Sequence, residues 1–166
     1  SLLEEAIRRG EDQVKKRMNP ENKSTLNKED LRIGRAIGIG AVKYADLSND
    51  LTNDYVFDLD RMVSFEGDTG PYLQYAHARI SGIIRKSNKE ACEIKKSPFI
   101  IKELAEINLA KCILEYAGVI KSAADQSSPH KIALWLRKLS ELLSSFYETC
   151  PVLSAEKTTK NSRLRL

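Results

Sequence analysis

Cysteine is scarce in this sequence, and the arrangement of the few that occur excludes two common roles. Among 166 residues there are three, Cys92, Cys112 and Cys150, and no two of them have CxxC spacing. A disulfide framework normally needs an even number, and zinc sites normally use closely spaced pairs. The sequence therefore predicts neither kind of site, and a reducing, cytoplasmic setting fits best.

The sequence also lacks a long hydrophobic run. Hydrophobic residues make up 42% and charged residues 30% of the chain, as in soluble globular proteins, and no apolar stretch approaches the roughly 20 residues that span a membrane. The start, SLLEEAIRRGEDQVKKR, alternates acids and bases and does not resemble a secretory signal. We therefore expect no membrane partner and no export, and the length suits a single domain.

Charge of one sign is only mildly in excess. The net charge of +4 is compatible with an acidic partner but is common in proteins that bind no nucleic acid. Its distribution is uneven, because the last ten residues, KTTKNSRLRL, carry four basic side chains and no acid. A run of this kind is predicted to be a solvated end.

Helical periodicity accounts for most of what is present. The predicted helices cover residues 2–17, 31–47, 71–86, 98–125 and 130–150. Gly118 marks the point where the fourth would bend or divide. Only the alternation of Tyr55, Phe57 and Leu59 favours a short extended piece, which does not make a sheet. The predicted fold is all-α, a bundle of helices.

Small residues line one side of the second predicted helix, at Gly34, Gly38, Ala41 and Ala45. This spacing is typical of a helix that another backbone approaches closely. A nucleotide-binding loop is the other interpretation, but GIGIGAVK lacks the GxGxxG spacing and follows no predicted strand. Helix packing is therefore favoured.

One predicted helix, Pro71 to Lys86, combines aromatic and basic side chains. Its core face is predicted to comprise Leu73, Ala76, Ile80 and Ile83. Tyr72, Tyr75 and Arg79 lie along the neighbouring line. Rings beside cations suit an unstacked nucleic acid, because bases stack on aromatic faces while basic groups attract phosphates. The alternative is that both tyrosines only cover the rim of the core, with their hydroxyls in water.

Three stretches, AIGIGAVKYADLSND, DYVFDLDRMVSFEGDTGPYLQYAHARI and FYETCPVL, resemble the C-terminal half of arginyl-tRNA synthetases, which are class I aminoacyl-tRNA synthetases. The similarity is collinear over essentially the whole chain and strongest from Ala36 to Ile80. It implies a helical bundle of the class I synthetase anticodon-binding type. Residues 1–62 would be the end of the catalytic and stem-contacting region, and residues 63–166 a helical anticodon-binding domain that lacks its final helix.

The resemblance also implies a site for the anticodon loop of tRNA(Arg). In the family, the loop matching Ser64–Thr69 approaches the anticodon, and tyrosines matching Tyr72 and Tyr75 contact its bases. By similarity two arginines would serve the same site, and Tyr147 would be either a further aromatic there or a core residue. The implied tRNA-binding residues are Ser64, Phe65, Glu66, Gly67, Asp68, Thr69, Tyr72, Tyr75, Arg79, Arg85 and Tyr147.

The family joins arginine to its tRNA, so ATP with Mg is implied as cofactor of a full-length enzyme. The HIGH-type signature and the mobile lysine loop of class I synthetases do not occur in this sequence. No catalytic, cofactor-binding or metal-binding residue is therefore assigned, and the chain alone is expected to be inactive. Without its final helix the domain would expose an apolar groove, which favours self-association.

Two other functions stay open on the residues alone. One is a helical protein-interaction or dimerisation module without RNA binding, which would use the Gly34 and Gly38 face or the uncovered groove. The other is an independent hydrolase, but neither histidine has the neighbours of a catalytic triad. His77 is predicted to be a packing residue instead. DNA is not an expected partner.

Overall fold

Helices make up most of the computed structural model, which describes residues 1–18, 26–87, 94, 96 and 98–166. They are α1 (Leu2–Met18), α2 (Lys28–Ser48), α3 (Leu59–Met62), α4 (Gly70–Ser87), α5 (Leu104–Leu114), α6 (Tyr116–Asp125), α7 (His130–Thr149) and α8 (Lys157–Arg165). No strand occurs within the described ranges, which confirms the predicted all-α fold. None of these helices is long and apolar enough to cross a membrane. Cys92 falls outside the described residues.

The chain divides into two compact units, in place of the single domain expected from its length. The first comprises residues 1–75 and 128–133, and the second comprises residues 76–127 and 134–166. Helices α4 and α7 each contribute to both. Each unit has a buried apolar cluster of its own, which is the physical reason for the division. The boundary expected between residues 62 and 63 stays a prediction.

In the first unit, α1 and α2 cross so closely that their contact requires glycine. A Cβ added to Gly34 would lie 2.7 Å from the Cα of Glu11, and one added to Gly38 would lie 2.6 Å from the Cα of Ile7. Side-chain carbons do not approach backbone atoms that closely, so only glycine fits. The interpretation of these small residues as a helix-packing face is confirmed.

Helix α2 also packs against helix α3, which precedes the loop Ser64–Thr69. The buried residues of this contact are Ala41, Met62 and Val63, with Ala45 and Leu59 packed against them. Asp58 caps the start of helix α3, because its side chain accepts the N–H groups of Asp60 and Arg61. The extended piece predicted from Tyr55, Phe57 and Leu59 is correct only in part, because Leu59 is the first residue of α3, while residues 54–58 pair with no strand among the described residues.

In the second unit, α5 begins at Leu104, six residues later than predicted. Glu106 is the cause, because its Oε2 accepts the N–H groups of Lys102 and Glu103 at 2.8 Å and 3.0 Å. Those bonds hold the preceding segment in an extended path, with Glu103 at φ −82° and ψ 146°. The capping carboxylate of Glu106 therefore marks the start of the helix.

The division between α5 and α6 falls at Glu115 and not at Gly118. Near this point the carbonyl of Cys112 accepts the indole N–H of Trp135 at 2.8 Å. A side chain that bonds to a carbonyl near the end of a helix competes with the helical ladder, and this favours a break there. Glycine alone did not determine the position.

The core of the second unit forms where α5, α7 and the C-terminal segment meet. Its buried residues are Leu109, Phe146, Cys150 and Val152, with Ile83, Ala105, Leu139, Leu142, Leu143, Leu164 and Leu166 packed against them. Helix α7 ends before Cys150-Pro151 as predicted, because proline cannot continue the ladder.

The basic C-terminal stretch is helix α8, so its prediction as a solvated end is wrong. The Nε of Arg163 donates to the buried Oε1 of Glu106 at 2.7 Å. The hydroxyl of Ser162 accepts the N–H of Ile100 and donates to the carbonyl of the same residue. A basic run therefore became a packed element because one of its charges has a buried partner.

Candidate nucleic-acid interface

The loop Ser64–Thr69 is closed by hydrogen bonds between its own ends. The hydroxyl of Thr69 donates to the carbonyl of Ser64 at 2.6 Å and accepts the N–H of Tyr72 at 3.2 Å, so the same side chain closes the loop and caps α4. The N–H of Glu66 binds the Ser64 hydroxyl at 3.1 Å. Thr69 is therefore the residue that caps α4.

The middle of this loop faces solvent. Glu66, Gly67 and Asp68 are exposed, and a Cβ added to Gly67 would meet nothing within 4 Å. The φ of Gly67 is +78°, a conformation that glycine adopts without strain. The loop therefore presents two carboxylates and open backbone at a sharp turn.

Two contacts from other elements of the first unit hold the loop in place. The hydroxyl of Tyr44 on α2 donates to Oδ1 of Asp68 at 2.5 Å. The guanidinium carbon of Arg17 at the end of α1 lies 4.3 Å from the centroid of the Phe65 ring. Sequence reasoning missed both Tyr44 and Arg17. Ala36, Gly40 and Tyr44 are four residues apart along α2, and this spacing is the sequence signal that could have identified Tyr44.

The start of α4 places the two tyrosines differently. Tyr72 is half-buried, while Tyr75 is 42% exposed. Neither lies deep in the core. Both rings therefore reach the surface to different degrees, and their role in RNA binding stays a prediction.

The predicted core face of α4 is correct in part. Ala76 is buried, and Leu73 and Ile83 are half-buried, but Ile80 is 37% exposed and does not belong to the core. His77, predicted to be a packing residue, is exposed as well. The helix therefore buries a narrower face than its apolar periodicity predicts.

In the second unit, Arg79 and Tyr147 form one contact. The guanidinium carbon of Arg79 lies 4.2 Å from the centroid of the Tyr147 ring, within the range of a cation–π interaction. Tyr147 is 43% exposed, and the core position belongs to its neighbour Phe146. The core alternative for Tyr147 is therefore wrong. For Arg85 the structure shows an exposed position on α4.

Side chains of these kinds were predicted to bind single-stranded RNA, and that role stays a prediction. Exposed aromatic rings stack on bases, guanidinium groups neutralise phosphates, and carboxylates or open backbone accept and donate hydrogen bonds at base edges. Within the described residues, no group of three or more His, Cys, Asp or Glu side chains could hold a metal ion.

Two family models match the chain. Residues 73–166 match the DALR anticodon binding domain, and residues 1–59 match the catalytic domain of class I tRNA synthetases of the arginine type. The first match alone covers more than half of the chain. Arginine--tRNA ligases of Escherichia fergusonii and Haemophilus influenzae are each 42% identical over 99% of this chain.

Solved structures give the same result for the fold. The Thermus thermophilus arginyl-tRNA synthetase superimposes with a TM-score of 0.83 at 28% identity over 98% of this chain. The enzyme of Plasmodium falciparum superimposes with a TM-score of 0.84 at 26% identity over 99%. The chain spans 28% of the length of the curated relatives and 27% or 28% of the two structures. It belongs to the DALR anticodon-binding domain family, and over almost its whole length it is similar to the corresponding part of arginine--tRNA ligases.

Proposed function

We propose that this chain is the anticodon-recognition part of an arginine--tRNA ligase and that it binds the anticodon loop of tRNA(Arg). The observation that carries the proposal is the match of residues 73–166 to an anticodon-binding domain. The exposed ring of Tyr75 and the Arg79–Tyr147 contact support it, because both lie within that matched region. No comparison supports the alternative of a protein-interaction module.

In this proposal each group has a separate task. Tyr72 and Tyr75 stack on unpaired bases, a contribution of roughly 1 to 3 kcal/mol for each base. Arg79 and Arg85 attract the phosphates, and Tyr147 adds a further ring that Arg79 orients. The Ser64–Thr69 loop accepts hydrogen bonds from base edges through its exposed carboxylates.

The activity of the whole enzyme is part of the same proposal, because this chain spans about 28% of the curated relatives. A full-length protein would attach arginine to tRNA(Arg) in the cytoplasm, with ATP and Mg as cofactors. The class I signatures do not occur in this sequence. We therefore expect no aminoacylation by the chain alone.

Equilibrium binding of labelled tRNA tests the proposal. The chain is titrated against a tRNA transcript with an arginine anticodon and against an unrelated tRNA, at several salt concentrations. We expect weak, salt-sensitive binding that favours the arginine tRNA, because phosphate contacts release counterions while ring and loop contacts select bases. Equal affinity for both tRNAs at moderate salt contradicts the proposal. Light scattering on the same sample measures self-association, which stays a prediction.

A further inference from the structure

The start of α4 packs against one line of residues along α2. Ala36, Gly40 and Tyr44 are four residues apart and therefore share one face of the helix. The carbonyl of Ala36 accepts the side-chain N–H of Gln74 at 3.0 Å. A Cβ added to Gly70 would lie 2.8 Å from the carbonyl carbon of Gly40, so the two backbones touch. Helix α2 thus sets the position of α4 at its first turn.

Tyr44, the last member of this line, contacts the loop itself. Its hydroxyl donates to Oδ1 of Asp68 at 2.5 Å across 24 positions of sequence. Asp68 stands between Gly67, which makes the exposed turn, and Thr69, which closes the loop. The hydrogen bond from Tyr44 therefore holds Asp68, which lies between the tip of the loop and the residue that closes it.

We propose that Tyr44 is a positioning residue for RNA binding, which acts by holding Asp68 so that the Ser64–Thr69 loop is already ordered when RNA arrives. The inference rests on the proposed function of this loop. A loop that must be ordered on binding consumes part of the interaction free energy, so a loop ordered beforehand binds more tightly. Tyr44 itself need not touch the RNA.

Removal of the hydroxyl isolates this effect. Tyr44→Phe keeps the ring and removes the hydroxyl that bonds to the carboxylate. A hydrogen bond to a charged group contributes enough that tRNA binding should weaken roughly three- to tenfold. Tyr55→Phe is the matched control, because the Tyr55 hydroxyl donates to Oδ1 of Asp46 at 2.6 Å in the same unit but outside the loop. The control should bind tRNA as the unchanged chain does.

A double-mutant cycle tests whether Tyr44 acts through Asp68. Affinity for the arginine tRNA is measured for Tyr44→Phe, Asp68→Ala and the double variant, and thermal unfolding is followed for each. We expect Tyr44→Phe to have no further effect once Asp68 is alanine. Asp68→Asn should retain tight binding while Tyr44 is present, because the amide oxygen still accepts the hydroxyl. If Tyr44 acted independently of Asp68, the losses from the two substitutions would instead be additive.

The outcomes separate the inference from the proposed function. If Tyr44→Phe leaves affinity unchanged, or weakens it equally in the Asp68→Ala background, the positioning role is overturned. If binding then still depends on Tyr72 and Tyr75, the proposed function stands. If the unchanged chain itself does not distinguish the arginine tRNA, the proposed function fails, whatever the Tyr44 variants do.

Discussion

The guanidinium of Arg79 lies over the ring of Tyr147, with its carbon 4.2 Å from the ring centroid. Successive residues of a helix point about 100° apart, so Phe146 enters the core of the second unit while Tyr147 faces outward. An exposed ring held beside a cation offers a partner both a stacking surface and a positive charge. In this pair, two of the predicted site residues contact each other.

Arg79→Met should weaken tRNA binding and lower its salt dependence. The substitution keeps most of the side-chain length and removes the charge, so the slope of log K against log salt should fall by about 1. Filter binding over a salt series measures both quantities. Lys121→Met, which removes an exposed charge from α6 in the same unit, is the control and should leave the slope unchanged. An equal fall in both variants would mean that general charge, and not this site, sets the slope.

The ion pair between Glu106 and Arg163 should make stability depend on pH. Burial raises the pKa of Glu106, but the N–H groups of Glu103 and Lys102, together with Arg163, outweigh burial and hold that pKa below its ordinary value of 4.5. A carboxyl with a lowered folded-state pKa stabilises the protein above its unfolded-state pKa, and this stabilisation is lost as pH falls through the folded-state value.

Glu106→Gln tests this dependence. At neutral pH it should lower the free energy of unfolding by about 2 kcal/mol, since Arg163 loses its charged partner. The difference from the unchanged chain should shrink once the pH falls below 4.5 and continue to shrink through the lowered pKa. Urea unfolding at neutral and acidic pH measures it. A difference that stays constant over that range would contradict the assigned role of the carboxylate.

Gly38→Ala should disrupt the crossing of α1 and α2. The added Cβ would lie 2.6 Å from the Cα of Ile7, and neither backbone can retreat without separating the helices. We expect a loss of about 3 kcal/mol in the free energy of unfolding, or failure of the first unit to fold. Gly82→Ala is the control, because its Cβ would meet nothing within 4 Å in α4 and should stabilise by about 0.5 to 1 kcal/mol. Thermal unfolding of both variants decides the comparison.

The ends of helices were predicted well where they depend on a few adjacent residues. Proline and its capping residue fixed the start of α4 at Thr69-Gly70-Pro71, and Cys150-Pro151 fixed the end of α7. The small residues of α2 identified its contact with another backbone. These features depend on a few adjacent residues, and the sequence displays them directly.

Features set by distant residues were not predictable in the same way. The start of α5 depends on how Glu106 bonds the preceding backbone, and the order of α8 depends on Arg163 reaching that same carboxylate across 57 positions. Tyr44 was not predicted as a site residue for the same reason, because its link to the site is a hydrogen bond to Asp68, which lies 24 positions away in the sequence. Periodicity likewise overstated the core face of α4, since it gives the side on which Ile80 lies but not whether a neighbour covers it.

In the proposed function, the tyrosines of α4 read an arginine anticodon. The most direct measurement is a ratio. It is the dissociation constant for tRNA(Arg) with a changed anticodon, divided by the dissociation constant for tRNA(Arg) itself. The ratio is compared between the unchanged chain, Tyr72→Ala with Tyr75→Ala, and Tyr72→Phe with Tyr75→Phe. We expect a ratio of at least about tenfold that falls towards one in the alanine pair, because the bases are then no longer held against the groups that read their edges. The ratio should be largely kept in the phenylalanine pair, which retains the stacking rings. A ratio that persists in the alanine pair, or that is already one in the unchanged chain, would contradict the proposed role of the tyrosines.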